Sequence, residues 1–127
     1  MRRTADLGRA NAVVVGWHPE FSYPELRDAV HAVLGGAALY ATNPDPVFPM
    51  PDGPWPATGA ILAAVETARG RTGTVIGKPE PHLFRLAGSR FAGTRAVVGD
   101  RLDTDIAGGT RADSRRSSSR RRHRQLR

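Results

Sequence analysis

The hydrophobic positions along the chain predict strands that alternate with helices. Four short runs are rich in valine, alanine and other apolar residues and end near a glycine or a polar turn: residues 11–16, 37–42, 74–77 and 96–100. Each run predicts a buried strand. Apolar residues at helical spacing predict helices over residues 23–34, 58–69 and 80–87, and a last helix that begins near Thr104. This alternation predicts an α/β fold with a parallel sheet.

Prolines and glycines mark the ends of these elements. Pro24 suits the first turn of the first helix, and Gly35-Gly36 end it. Thr58 is the predicted N-cap of the second helix, which Gly70 ends. Between the second strand and this helix, residues 43–57 are so rich in proline that we predict a long irregular loop without regular structure. A loop of this length in a compact domain is usually functional or a cover.

The positive charge of the chain lies at its carboxyl end. The net charge is +7, yet residues 1–109 carry 11 Lys/Arg and 11 Asp/Glu, so that 11 − 11 = 0. Residues 110–127 carry 8 Arg and one Asp, so that 8 − 1 = +7. This Arg/Ser-rich segment has almost no apolar residues, and we predict a disordered tail over residues 110–127. The basic composition therefore describes the tail rather than the folded body.

Composition excludes several classes of function. The chain of 127 residues has no cysteine, which excludes disulfides and thiolate metal sites and suits a cytoplasmic protein. No apolar run approaches the roughly 18 residues of a membrane helix, so no membrane partner is expected. The tail could bind nucleic-acid phosphates, but without an aromatic residue or a base-reading fold such binding would be non-specific.

Two aspartates follow the last predicted strand. Asp100 stands at its carboxyl end, where ligands bind in open α/β sheets, and Asp105 stands five residues later at the start of the next helix. Magnesium takes one or two carboxylates together with water and phosphate, so this spacing suits one direct ligand and one supporting carboxylate. Capping of the following helix explains the same residues equally well. Spacing alone leaves both interpretations open.

A lysine follows the third predicted strand in the same way. Lys78 lies between Gly77 and Pro79. At a strand end it could neutralise a phosphate or an acidic nucleophile. A lone lysine in a turn is more often simply solvated.

Together these segments resemble a known family. Gly77-Lys78-Pro79, followed after about twenty residues by Gly99-Asp100-Arg101-Leu102-Asp103-Thr104-Asp105-Ile106, is similar to the last two motifs of haloacid-dehalogenase-type (HAD) phosphatases. More narrowly, the strings resemble the NagD-like branch, which includes p-nitrophenylphosphatases. Residues 41–45 and 56–60 are similar to the end of the α/β cap domain of that branch. The resemblance covers about residues 11–109.

The resemblance implies a magnesium-dependent phosphatase that acts on a small phosphorylated metabolite. In that family an aspartate attacks the phosphate, and water hydrolyses the resulting aspartyl-phosphate. Carried over, Asp100 matches the Mg²⁺ ligand, Asp105 an outer-shell carboxylate, and Lys78 the lysine that orients nucleophile and phosphate. Asn43 and Asp45 match a cap segment that could face the substrate, although a turn held by side-chain-to-backbone bonds explains them as well.

The nucleophile motif of the family, Asp-x-Asp-Gly-Thr, is absent from the 127 residues. We therefore expect a carboxy-terminal fragment that is inactive alone, or one half of a two-chain enzyme whose partner supplies the motif. The expected organisation is the carboxy-terminal part of a cap domain over residues 1–72, the carboxy-terminal part of a Rossmann-like HAD core over 73–109, and the tail. Non-specific nucleic-acid binding through the tail is the alternative function.

Overall fold

A computed structural model describes residues 10–113. The chain divides into two compact units, with the division between Ile76 and Gly77. Each unit is described by itself below. The predicted limit between cap and core, after residue 72, remains a prediction about domain identity. No helix within the described range is long and apolar enough to cross a membrane.

The first unit contains a parallel three-stranded sheet, as the sequence predicted. Its strands are β1 (Ala12–Val15), β2 (Ala38–Ala41) and β5 (Thr74–Val75), in the order β1-β2-β5. β1 pairs with β2 in the register Val13↔Leu39, and β2 pairs with β5 in the register Tyr40↔Thr74. The strand order therefore leaves β2 in the centre and β1 at an edge.

Two helices connect these strands. Helix α1 spans Tyr23–Leu34, as predicted, and begins in a capping box in which the backbone N–H and the hydroxyl of Ser22 both donate to Glu25 Oε2 at 2.9 Å. Helix α2 spans Thr58–Arg69, but its N-cap is Ala57 rather than the predicted Thr58. The N-cap of α2 therefore makes no side-chain hydrogen bond, and Thr58 is instead buried as the first residue of the helix.

The core of the first unit lies between the sheet and the helices. Six buried residues form it: Val15, Val33, Leu39, Ala41, Leu62 and Val65. They come from two strands and both helices, and the helices pack against each other. Residues of β1 and β2 that point to the same face of the sheet therefore pack in one cluster with the apolar faces of α1 and α2.

The proline-rich segment is more regular than predicted. Instead of an irregular loop, it forms an antiparallel hairpin of β3 (Val47–Met50) and β4 (Gly53–Pro56). The Ala57 N–H donates to the Pro46 carbonyl at 2.9 Å, so hydrogen-bonded pairs fall at every second residue from there. By that alternation Pro49, Pro54 and Pro56 occupy non-hydrogen-bonded positions, where a missing N–H does not interrupt the ladder.

The second unit is helical among its described residues. It contains α3 (His82–Ser89), a π-helical turn (Leu102–Ile106) and α4 (Ala107–Asp113). Helix α3 begins two residues later than predicted because Pro81 occupies its N-cap. The predicted tail begins at residue 110, yet residues 110–113 belong to α4, and the rest of the predicted tail lies outside the described residues.

The fourth predicted strand is wrong. Residues 96–100 are not in a ladder, and Val98 is 96% exposed. Described residues 77–113 contain no other strand, so the backbone of this segment has no neighbour in its unit with which to pair. The apolar sequence of residues 96–100 predicts a strand, but a strand also needs a neighbouring strand for its hydrogen bonds, and the described part of this unit contains none.

Candidate active site

The second unit brings together two of the predicted site residues that are far apart in sequence. Lys78 Nζ donates to Asp105 Oδ1 at 2.6 Å, across 27 residues of chain. The Asp105 side chain is largely enclosed, whereas Lys78 is 52% exposed. The lysine thus binds one oxygen of a largely buried carboxylate, while about half of its own side chain is exposed to solvent. The Lys78–Pro79 peptide bond is cis.

The π-helical turn places Asp105 in this position. The Arg101 backbone N–H donates to Asp105 Oδ2 at 3.3 Å, so both carboxylate oxygens have a donor. Gly99 leaves the space for the side chain, since a Cβ at Gly99 would lie 2.8 Å from Asp105 Oδ2 and closer still to its Cβ. A turn of this kind inside a helix often marks a functional site. Gly99 and the π-helical turn together allow the Asp105 carboxylate to pack against the backbone of residues 99–101.

Electrostatics keep Asp105 ionised. The hydrogen bond from Lys78 is the largest influence and lowers the pKa of Asp105 below its ordinary value of 3.8. Burial opposes this, and the Arg101 N–H, the Lys78 charge and the Asp100 side chain add to the lowering of the pKa. The carboxylate form of Asp105 is thus the favoured one at neutral pH.

A second ion pair closes the turn. Arg101 Nη2 lies 3.0 Å from Asp103 Oδ2, and Arg101 Nε lies 3.3 Å from Asp103 Oδ1. This side-chain hydrogen bond lowers the pKa of Asp103. Arg101 therefore acts at both ends of the turn, through its backbone on Asp105 and through its guanidinium on Asp103. The sequence motifs assigned no role to Arg101, because its contact with Asp105 runs through a backbone N–H and leaves no side-chain signature.

The donor set suits magnesium. Asp100, which is exposed, and Asp105, five residues later, both offer carboxylate oxygens, and Mg²⁺ prefers oxygen ligands. Within residues 10–113, no group of three or more histidine, aspartate or glutamate side chains gathers around one point. A cation at this site would therefore take at most these two carboxylates, directly or through water, and fill its other positions with water and phosphate oxygens.

The predicted cap residues lie in the first unit and form a turn. The Asp45 N–H donates to Asn43 Oδ1 at 3.1 Å, and the Gly59 N–H donates to the Asp45 carbonyl at 2.8 Å. This arrangement is the side-chain-to-backbone turn that the sequence left open as the alternative. Gly59 permits it, because a Cβ there would lie 2.8 Å from the Asp45 carbonyl oxygen. A substrate contact by Asn43 or Asp45 remains a prediction.

Known proteins match the segment of the chain that contains this candidate site. The HAD-hydrolase-like family matches residues 75–116, the segment that carries Lys78, Asp100 and Asp105. Chronophin of Bos taurus is 44% identical over 108 residues, which cover 81% of this chain and 36% of chronophin.

Solved structures extend the match to most of the chain. A double-mutant thermostable NPPase from Geobacillus stearothermophilus superimposes with a TM-score of 0.76 at 37% identity, over 83% of this chain and 42% of the NPPase chain. Glycerol phosphate phosphatase of Mycobacterium tuberculosis in complex with magnesium gives a TM-score of 0.77 at 41% identity, over 82% of this chain and 32% of the phosphatase.

The site and these matches define a class of protein. The chain belongs to the HAD-like hydrolases, and its mixed α/β fold is that of the phosphatases in this class. Its relatives include chronophin and its solved neighbours include p-nitrophenylphosphatases, which confirms the NagD-like branch that the two motifs indicated. The chain spans less than half the length of the relatives described above.

Proposed function

We propose that the second unit supplies the metal and lysine side of a magnesium-dependent phosphatase site that acts on phosphoric monoesters. The observation that carries this proposal is the Lys78–Asp105 pair of 2.6 Å, formed across 27 residues by the segment that also carries Asp100. Helix capping alone would not require a lysine from a distant turn. The relatives' names support the reaction type, since they include a glycerol-3-phosphate phosphatase and a dihydroxyacetone phosphatase.

Each residue has a separate role in this proposal. Asp100, exposed at the end of its segment, is the direct Mg²⁺ ligand. Asp105, held by Lys78 and by the Arg101 N–H, is a fixed negative charge that orients a water ligand of the ion. Lys78 shares its exposed ammonium between Asp105 and a phosphate oxygen. When bound, magnesium would supply Lewis-acid stabilisation of charge on the transferring phosphoryl group.

The substrate class follows from the same groups. An ammonium ion and a divalent cation side by side favour a dianionic phosphate monoester. The names of the relatives point to small phosphorylated metabolites. The Asn43–Asp45 turn is our candidate for the cap segment that contacts the organic part of the substrate. We place the enzyme in the cytoplasm, because a chain without cysteine suits a reducing compartment.

The 127 residues contain no Asp-x-Asp-Gly-Thr nucleophile motif, so we propose that this chain by itself does not turn over substrate. Catalytic groups that act as a unit are strongly non-additive, and loss of the nucleophile removes most of the rate enhancement. Mg²⁺ binding at Asp100 is a property that the chain can retain without the nucleophile.

The test combines a binding measurement with an activity measurement. Backbone amide NMR of the 127-residue chain during a Mg²⁺ titration should show saturable shifts at residues 99–106, and Asp100→Asn should remove them. Asp113→Asn, which changes the same charge elsewhere in the second unit, is the control. p-Nitrophenyl phosphate hydrolysis should be absent from all three proteins. Shifts that survive Asp100→Asn would disprove the ligand assignment, and hydrolysis that depends on Asp100 would show that the chain has its own nucleophile.

A further inference from the structure

One edge of the parallel sheet in the first unit is open. β1 pairs with β2 on one side only, and no described residue pairs with its other side. Asn11 O accepts from the Ala38 N–H at 3.0 Å, and Val15 O accepts from the Thr42 N–H at 3.0 Å. By the alternation of a parallel ladder, the N–H and C=O groups of Ala12 and Val14 point away from β2. These groups are ready to pair with another strand.

The open edge adjoins an apolar cavity. The cavity measures about 500 Å³ and is bordered by residues 13–15 of β1, by Leu26 and Ala29 of α1, and by Ile61 and Val65 of α2. Val14, in the middle of β1, is 44% exposed. Parallel sheets normally have both faces covered, and an apolar hollow along an unpaired strand is a place where a further element of the same fold would pack.

The solved structures that match this chain contain more protein than the matched part. The NPPase of Geobacillus stearothermophilus superimposes on 83% of this chain, but the match uses only 42% of the NPPase, so 100 − 42 = 58% of the NPPase has no counterpart in the match. The fold to which this sheet belongs thus contains more protein than the matched part. A segment that completes the fold carries its own strand and apolar side chains, which are what the edge and the cavity lack.

We propose that the open edge of β1 and the cavity beside it form the docking site for a second polypeptide, namely the complementary part of a HAD-type phosphatase. The partner adds a strand parallel or antiparallel to β1, bonded through Ala12 and Val14, and places apolar side chains in the cavity. This inference rests on the proposed function, because the partner is also the part that carries the Asp-x-Asp-Gly-Thr nucleophile.

The experiment uses the purified 127-residue chain and, as probe, a polypeptide that comprises the unmatched part of the Geobacillus stearothermophilus NPPase. Isothermal titration calorimetry should show a one-to-one complex. Val14→Lys places a charge on the open edge and should weaken binding by about tenfold or more. Leu34→Lys is the matched control, because Leu34 is 62% exposed and lies outside the cavity, and it should bind as the parent chain does. Circular dichroism of both variants checks that they are folded.

Hydrogen exchange provides a readout that needs no substitution. In the free chain the Val14 amide should exchange fast, while the Val13 and Val15 amides, which face β2, should exchange slowly. On addition of the probe, Val14 should become protected and the other two should change little.

Four results would overturn the docking proposal. Absence of binding, equal binding by Val14→Lys, or unchanged exchange at Val14 would each exclude the docking site. A dimer of the free chain that Val14→Lys dissociates would mean that the edge serves a second copy instead. The proposed function fails separately: a complex that forms but has no Asp100-dependent hydrolysis of p-nitrophenyl phosphate would disprove the phosphatase assignment and leave the docking site standing. If the chain alone showed the Mg²⁺-dependent NMR shifts but formed no complex with the probe, the docking site would be disproved and the phosphatase assignment would stand.

Discussion

Gly99 and Asp105 lie so close together that no side chain fits between them. A Cβ at Gly99 would be 2.8 Å from Asp105 Oδ2 and closer to its Cβ and Cγ, all of which belong to a buried residue. Gly99 is therefore required by the carboxylate that packs on it and not by its backbone angles, which lie outside the left-handed region.

The first prediction is that Gly99→Ala displaces Asp105. Overpacking of this kind costs about 1–3 kcal/mol, and the backbone shift should abolish the Mg²⁺-dependent NMR shifts at residues 99–106. Urea denaturation measures the loss of stability. Gly16→Ala is the control, because the nearest atoms to its Cβ would be at 3.8 Å, and it should change the unfolding free energy by less than about 0.5 kcal/mol. If both variants lost the same stability, the close contact at Gly99 would not be the cause.

The second prediction concerns the Lys78–Asp105 pair and pH. Since the hydrogen bond from Lys78 lowers the pKa of Asp105, Lys78→Met should raise that pKa, and Lys78→Arg, which retains the charge, should raise it less. Carboxyl ¹³C NMR during a pH titration measures the effect.

The lowered pKa of Asp105 also determines how the stability of the second unit depends on pH. A carboxyl group whose pKa is lowered by folding stabilises the protein above its unfolded pKa of about 3.9, and this contribution is lost as the pH falls through the folded-state pKa. Lys78→Met should therefore destabilise the second unit at neutral pH, and the difference from the parent chain should shrink below about pH 4. A difference that stays constant down to low pH would show that the ion pair is not its source.

The third prediction tests the core of the first unit. Leu62 is 6% exposed and belongs to the buried cluster, so Leu62→Ala should lower the unfolding free energy by about 2–5 kcal/mol. Leu34→Ala makes the same chemical change at an exposed position of a helix and should change it by less than about 0.5 kcal/mol. Thermal denaturation followed by circular dichroism compares the two.

The fourth prediction tests the start of α1. Glu25→Ala removes the acceptor of both Ser22 hydrogen bonds and should destabilise the first unit by about 0.5–2 kcal/mol. Glu20→Ala, an exposed acid outside the helix, provides the comparison. Equal effects of the two substitutions would point to net charge rather than to the cap.

Sequence patterns predicted those features that depend on local periodicity. Helix α1, the paired strands β1 and β2, and the apolar face of α2 follow from residues within a few positions of each other, and the sequence located them closely. The family motifs likewise singled out Lys78 and Asp105, which the structure joins by a hydrogen bond, while the catalytic roles of the two residues stay predictions. Periodicity gives no information on whether a neighbour is present, and for this reason the apolar run at residues 96–100 predicted a strand that has no ladder.

The hairpin shows the opposite error. The prolines in residues 43–57 predicted a loop because proline lacks an N–H, yet a proline at a non-hydrogen-bonded position of a hairpin does not interrupt its ladder. The Pro51-Asp52-Gly53 turn is a local hairpin signal that outweighed them. The contact between Gly99 and Asp105 could not have been predicted either, since a glycine in sequence does not show which side chain approaches it.

Pro49, Pro54 and Pro56 all occupy non-hydrogen-bonded positions of the hairpin, and this placement also affects self-association in concentrated solution. Residues in non-hydrogen-bonded pairs direct their backbone groups outwards, so Pro49 on one strand and Pro54 and Pro56 on the other remove N–H donors from the two outer edges of the hairpin. A strand from another molecule therefore finds an interrupted row of donors there, a feature that natural proteins use against edge-to-edge aggregation. Intermolecular sheet growth by this unit is thereby disfavoured at the hairpin, whereas the valine-rich edge of β1 has no described strand beside it and keeps its donors.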